Sequence, residues 1–252
     1  MNRLGDVVAG IFNGDEPTGP FAQPTLSRIT DSRAFRLTVR PMAGLEIQGS
    51  RAYITSPDII QGGAADHAML SASVRWEGSI TQAISGYAFA EFEQNDEKIP
   101  FNEGFRYESA LAEVMASNRL LSVAARFERT DRPEHERLLN PFRSPVGHID
   151  FQLLGITRWS TTTVQLSSGT LAVPGTSGGV RLAPFVEVAR AVPSAVVRPT
   201  VFEPSVFYGA SALWSYSLGV RLHVGSMRSR MGRYGVALPS PAADSQRAAT
   251  HH

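Results

Sequence analysis

The sequence predicts an all-β fold, an antiparallel array of about ten strands in a chain of 252 residues. Three observations lead to this prediction. Apolar and polar residues alternate in short segments, turn residues bound the segments, and the segments recur at the spacing of antiparallel β proteins. The clearest segment is 213–225. Its even-numbered residues, among them Trp214, Leu218 and Val224, are all apolar, whereas its odd-numbered residues from 215 onward are small, polar or charged; we call each such set of alternate residues a parity. Because successive side chains of a strand point to opposite faces, this segment has one apolar face.

Composition limits the classes of protein. The hydrophobic share is an ordinary 42%, and no run of about eighteen apolar residues occurs, so no membrane-spanning helix is predicted. The net charge of +1 gives little support to general polyanion binding. Lys98 is the only lysine among 24 basic residues, which coding bias explains. The absence of cysteine excludes disulfides and thiolate metal sites.

Alternation and turn signals define the strands of the first third of the chain. Residues 5–12 form a short strand before a dense turn signal at 13–17, and 18–31 is a long loop. Alternation resumes at 32–40, and a tight hairpin at 41–44 leads into 45–55. Arg51 breaks the apolar parity of that strand. A loop follows at 56–66.

The central strands alternate more clearly. Segments 67–76, 84–94 and 120–129 each have one apolar parity, and 95–104 is predicted as a polar loop. Segment 105–115 also suits a helix, because its second half is rich in good helix formers. The turn residues at 117–119 and the alternating strand behind them favour a strand there as well.

The last third contains the most charged stretch, 129–146, in which Pro133 suits the start of a short helix over 134–139. A long strand is predicted at 148–166, with Trp159 on its apolar parity and Arg158 on its polar parity. Another follows at 179–191, where Pro184 predicts a bulge or an edge. The chain divides into a short strand and loop (1–31), barrel strands (32–225) and a tail (226–252) whose end reads as disordered.

The polar parity decides between two kinds of all-β protein. In a soluble β-sandwich its arginines meet solvent, whereas in a transmembrane β-barrel they face a wet lumen and the apolar parity faces lipid. Aromatic residues lie at the ends of the apolar faces of several strands. The opposite faces contain serine and glycine as well as charged residues, and short predicted connections alternate with long ones. These features favour an antiparallel transmembrane β-barrel of about ten strands, complete or incomplete. A soluble β-sandwich binding protein is the alternative.

The last strand, Leu-Gly-Val-Arg-Leu-His-Val-Gly, together with the repeated strands of about ten residues and the polar loops, resembles Gram-negative outer-membrane β-barrels of the porin type. The likeness is one of pattern over most of 32–225 and rests on no diagnostic motif. It implies an outer-membrane location and passive diffusion. The sequence departs from the pattern by lacking a signal peptide and by ending in a tail. We therefore expect the C-terminal part of a longer barrel, with a mis-assigned start codon as the alternative.

An arginine-lined lumen predicts porin-like passive diffusion of small solutes with a mild anion preference. The expected partners are outer-membrane lipid and small solutes or ions. Three arginines of the charged stretch, Arg132, Arg137 and Arg143, are candidates for a constriction loop, and a solvated outer loop is the alternative. A structural or adhesive barrel with a plugged lumen is the second hypothesis. The residues expected to face the lumen are Arg36, Arg75, Glu91, Arg126, His148, Asp150, Gln152, Arg158, Arg181, Glu187, Arg221 and His223.

Enzyme signals are weak. Residues 175–179 match G-x-S-x-G, but a strand follows them where a hydrolase needs a helix. The trypsin-like interpretation fails because the context of His67 is a poor match. His148 and Asp150 alternate on one strand face without an evident third metal ligand. With no phosphate-binding loop and no nucleic-acid signature, the sequence predicts no enzyme, no cofactor and no nucleic-acid partner.

Overall fold

The computed structural model describes residues 4–15, 21, 23, 26–57, 65–99, 104–133, 156–168, 171–172, 180–197 and 203–224. Strands dominate these ranges, and the helices are one 3-10 turn (Leu26–Arg28) and α1 (Pro204–Phe207). The strands are β1 (Gly5–Phe12), β2 (Ser32–Met42), β3 (Leu45–Ile54), β4 (Asp66–Ser79), β5 (Ser85–Lys98), β6 (Arg106–Ser117), β7 (Leu121–Pro133), β8 (Ile156–Ser168), β9 (Leu171–Ala172), β10 (Val180–Val197) and β11 (Leu213–Val224). No helix in the described ranges is long and apolar enough to cross a membrane.

All strands belong to one sheet, in which each long strand pairs with the next long strand along the chain. The order is β1-β2-β3-β4-β5-β6-β7-β8-β10-β11, with the short β9 paired to β10, and every pairing is antiparallel. The prediction of an all-β antiparallel fold of about ten strands is therefore confirmed. The sheet is not closed: within the described residues, β1 pairs only with β2 and β11 only with β10. This matches the incomplete form of the prediction.

Two segments resolve questions that the sequence left open. The segment at 105–115 is strand β6, hydrogen-bonded on both sides, so its helix formers are overridden by sheet pairing. The loop predicted at 95–104 begins later, because Asn95 pairs with Tyr107 and Asp96 with Arg106. Pro184 lies on β10 between the residues that pair with β9 and those that pair with β8. Its missing N–H therefore interrupts no hydrogen-bond ladder at the edge of β10 that faces β8 and β9.

The two ends of the sheet differ in how successive strands follow one another. The residues 43–44, 80–84 and 118–120 join strands at one end, which we name the short-turn end; β8 also ends there and β10 begins there, with β9 between them in the chain. At the other end, which we name the long-connection end, β1, β3, β5, β7 and β10 finish, and 7 to 22 residues separate each from the next long strand. Gly44 shows how tight the short turns are. It has φ +78°, and a Cβ there would collide with the carbonyl oxygen of Glu77.

The pairing register sorts the side chains onto two faces of opposite character. Val39, Ile47 and Val74 are paired across successive strands, so they share one face, and each is 39–45% exposed. The other face is polar, yet Glu113 and Gln165 on it are 3% and 1% exposed. In a single sheet, one face is buried in this way only where the sheet curls around it. We call the curled-in polar side the concave face and the apolar side the outer face.

Candidate functional site on the concave face

Most of the described residues that the sequence assigned to a lumen lie on the concave face. Arg36 neighbours Thr38 on one strand parity, and both share their face with the inward side chains of β3. From β4 to β11, the residues paired with these inward positions lie on the same face of the sheet. The predicted residues that this register places on the concave face are Arg36, Arg75, Glu91, Arg126, Arg181, Glu187 and Arg221, with His223 at the corresponding backbone position opposite Arg181.

Arg158 is the exception, and its assignment is corrected. Leu166 pairs with Val123, so the even positions of β8 belong to the outer face. Arg158 is therefore on the outer face, where its Nε binds Asp131 Oδ1 at 2.7 Å. Trp159 is 8% exposed on the concave face instead of the apolar parity predicted for it. The sequence argument failed because it carried the parity of residues 149–153 across the whole segment.

Several candidates lie outside the described residues: His148, Asp150 and Gln152 of the predicted long strand, Arg137 and Arg143 of the constriction hypothesis, and the G-x-S-x-G segment 175–179. The tail at 226–252 lies outside them too. Arg132 is described and is exposed near the end of β7, at the long-connection end.

A cavity of 390 Å³ opens on the concave face. Gln48 and Ser50 of β3 line it together with Arg36 of β2, and Glu91 and Glu93 of β5 approach it from the other side. Acidic and amide side chains thus share the cavity with an arginine, and Ala52 and Met69 add apolar surface. These polar groups give water and small polar solutes hydrogen-bond partners there.

The short-turn half of the concave face is filled with side chains. Tyr87, Phe89, Met115 and Ala124 form a small buried cluster from three adjacent strands. The hydroxyl of Tyr87 donates a hydrogen bond to the Glu113 carboxylate at 2.6 Å. The buried cluster therefore includes a residue that hydrogen-bonds a buried acid. Burying a charge without such partners is costly, which explains why a phenol lies beside this glutamate.

A second polar network joins the last three long strands. Gln165 Nε2 donates to Glu187 Oε2 at 2.7 Å, and Arg221 donates to Gln165 Oε1 at 2.6 Å. The Arg221 guanidinium also lies 4.3 Å from the ring centroid of Phe185, a cation–π distance. One buried amide thus bridges an acid and an arginine across β8, β10 and β11. These contacts were not predicted, because Gln165 falls in a Thr- and Ser-rich segment without a site signal.

Acidic residues outnumber arginines on the described concave face, contrary to the sequence expectation of an arginine-dominated lumen. The seven arginines are Arg36, Arg40, Arg75, Arg126, Arg132, Arg181 and Arg221, and the nine acidic residues are Asp6, Glu46, Glu77, Glu91, Glu93, Glu97, Glu113, Glu128 and Glu187. Many are paired, as in Arg40 with Asp6 and Glu46 at 2.7 Å, and Arg126 with Glu128 at 2.7 Å. The expectation failed because its set of lumen residues contained only two of these nine acids, Glu91 and Glu187.

Parts of the long connections pack onto the sheet. Tyr208, just after α1, meets Trp159 edge to face with ring centroids 5.0 Å apart. Arg28 binds Asp31 at 2.7 Å and donates to the carbonyl oxygen of Thr55, so the first and second long connections are held together. The long-connection end is therefore partly covered by residues of the connections themselves.

No group of three or more potential metal ligands occurs among the described residues. Comparisons with protein-family models, curated proteins and solved structures found no match.

Proposed function

We propose that this chain is a β-barrel protein of the Gram-negative outer membrane that allows porin-like passive diffusion of small solutes. The observation that carries the proposal is the reversed placement of polar and apolar side chains. In a soluble sheet the apolar face is buried and the polar face is wet, and a sheet built for lipid has the opposite arrangement. Leu218 and Val224 of β11, for example, are 85% and 72% exposed.

The strands have the length that this role requires. β11 has 12 residues, which at about 3.3 Å each extend roughly 40 Å. A tilt of about 40° leaves roughly 30 Å along the membrane normal, the thickness of the hydrocarbon core. Trp214 and Tyr216 lie near one end of this strand on the outer face, where aromatic rings suit a membrane interface.

The concave face supplies the proposed path. Its polar side chains and the cavity beside Arg36 and Glu91 suit hydrated solutes. On the described part of the concave face, acidic residues outnumber arginines. We therefore propose that the path weakly prefers cations, in place of the anion preference expected from the sequence. The reversal potential across a bilayer with a salt gradient measures this sign. The constriction role of Arg132, Arg137 and Arg143 stays a prediction, tested by single-channel current after their replacement by glutamine.

The decisive experiment is refolding of the full chain in plain buffer, in neutral detergent micelles and in phosphatidylcholine vesicles. We expect a compact β form that needs detergent or lipid and migrates differently on gels before and after heating. A folded β form in plain buffer would refute the membrane assignment. Current through planar bilayers then tests diffusion itself.

A second candidate is a structural or adhesive barrel with a plugged lumen. The buried cluster around Tyr87 and the bridge through Gln165 favour it, because they fill part of the concave face with packed side chains. Lipid-dependent folding without measurable current would support this candidate over the diffusion pathway.

A further inference from the structure

Charged side chains on the outer face are confined to its long-connection end. Each of them lies in the half of its strand that is nearer to that end. Among the described strand residues, the outer-face cations are Arg33, Arg51, Lys98, Arg106, Arg129, Arg158 and Arg190, and the outer-face acids are Asp66, Asp96, Glu108 and Asp131. The outer face of the described strands carries no charge at the short-turn end. A membrane protein with this arrangement presents net positive charge to one leaflet only.

Three of these seven cations have acidic partners within the described residues. Arg106 binds Asp96 at 2.6 Å, and Arg158 binds Asp131 at 2.7 Å. The Arg129 contact with Glu108 is longer, at 3.5 Å. These arginines are therefore neutralised in part by neighbours on the same face.

Arg33 and Arg51 lie side by side on β2 and β3, and neither has an ion-pair partner within the described ranges. Arg33 faces Tyr53 across the β2–β3 pair, and its guanidinium lies 5.8 Å from that ring centroid. Arg51 faces Phe35 in the same pair. The two arginines are thus diagonal neighbours with Cβ atoms roughly 7 Å apart, and both side chains are exposed.

These two arginines line a groove of 710 Å³ on the outer face. Ala9 and Ile11 of β1 and Phe35 of β2 form its apolar part, beside the two guanidinium groups and Tyr53. The groove therefore joins a doubly cationic end to an apolar wall that continues into the exposed apolar surface. An amphiphile with an anionic head and a hydrocarbon tail has this same division of charge.

We propose that this groove binds an anionic phospholipid, with its phosphate between Arg33 and Arg51 and its acyl chain along Ile11 and Phe35. Guanidinium groups bind phosphate oxygens through paired hydrogen bonds, and two of them at diagonal spacing bracket a single phosphate. The proposal rests on the membrane role proposed above. It adds a specific lipid, and it places the long-connection end at the leaflet that carries the lipid.

The test uses the full chain refolded in neutral micelles and a phosphatidylglycerol probe with a fluorophore on its acyl chain. Binding is compared for the wild type, Arg33→Gln/Arg51→Gln and the matched control Arg106→Gln/Arg129→Gln. The control removes the same charge from the same end of the same face, but at arginines that have acidic partners. Loss of the two free arginines should weaken probe binding by about 30-fold. The control should lose less than about a third of that factor.

Each other outcome overturns the inference. Equal losses in the two variants would show diffuse charge attraction without a groove site, and no loss in either would show that these arginines bind no headgroup. Competition by millimolar inorganic phosphate without any contribution from the acyl chain would show a phosphate site and no lipid site. A chain that folds in micelles but binds the probe no better than labelled phosphatidylcholine refutes the groove and leaves the membrane role intact. A chain that folds in plain buffer refutes the membrane role itself.

Discussion

Tyr87 on β5 donates a 2.6 Å hydrogen bond to Glu113 on β6, and the two residues are 2% and 3% exposed. This pair lies on the polar concave face, beside Phe89 and Met115. The interior of the curled sheet is thus packed locally, although it is polar overall. A hydrogen bond to a buried carboxylate contributes more than one between neutral groups, so the pair helps to define the curl of the sheet.

Tyr87→Phe should lower the free energy of unfolding by about 1.5–3 kcal/mol, because it removes a hydrogen bond to a buried acid. Urea titration of the refolded chain, followed by tryptophan fluorescence, measures the change. Tyr107→Phe is the matched control, since the Tyr107 hydroxyl contacts Glu97 at 3.4 Å on a partly exposed part of the same sheet. A loss as large in the control as in Tyr87→Phe would contradict the special role of the buried pair.

Val114→Arg should lower the free energy of unfolding by about 2–4 kcal/mol if the outer face meets lipid, because an arginine side chain within the hydrocarbon core is poorly solvated. Val114 is 55% exposed, so the same change in a water-facing sheet should be nearly neutral. Leu120→Arg is the control, because Leu120 is 81% exposed in a short turn. Unfolding of both variants in phosphatidylcholine vesicles gives the comparison. Near-identical stabilities would argue that the outer face is wet.

Gln165→Leu should destabilise the fold by about 1–3 kcal/mol, because it removes both hydrogen bonds of the amide that bridges Glu187 and Arg221. The two charged groups lie on neighbouring strands, so part of the effect should appear as looser pairing of β10 and β11. Amide hydrogen exchange of these strands reports it. Gln94→Leu, on the outer face of β5, is the control and should leave this exchange unchanged; faster exchange there would contradict a local effect.

The open edges β1 and β11 should meet when the chain enters lipid. β1 runs from the short-turn end to the long-connection end and β11 runs in the opposite direction, so the two suit an antiparallel pair. Val7→Cys/Val220→Cys in this cysteine-free chain should be joined within one molecule by a bifunctional maleimide of about 10 Å, in vesicles but not in urea. Dimers formed by Val7→Cys alone would show instead that a second copy covers this edge.

The alternating segments could be located from the sequence because a period of two is a local property. Strand β11 shows this, with Trp214 and Val224 predicted on the same face as the structure places them. Alternation alone could not give the reversed burial of that face, because it is identical in a sandwich and in a barrel, and the expectation of a polar interior rested on the aromatic residues at the strand ends and on the Ser and Gly content of the polar face. Only the pairing of many strands shows that the polar side is the one enclosed.

Site prediction failed where a conclusion depended on carrying parity over a distance. Arg158 and Trp159 were assigned to the wrong faces because the predicted strand was taken as continuous from 148, and one residue of slip exchanges the two faces. The free arginines Arg33 and Arg51 were also missed as a pair. They are distant in sequence, and only the β2–β3 register shows that they are diagonal neighbours.

The strand order has a consequence for how this chain is assembled. Each long strand pairs with the one that follows it, so almost every contact between strands can form soon after the second strand of a hairpin becomes available. Loop closures remain short in comparison with folds whose distant strands must find each other, and this lowers the entropic barrier to pairing. The sheet can therefore grow hairpin by hairpin from either end, and an interrupted chain would leave a shorter but correctly registered sheet.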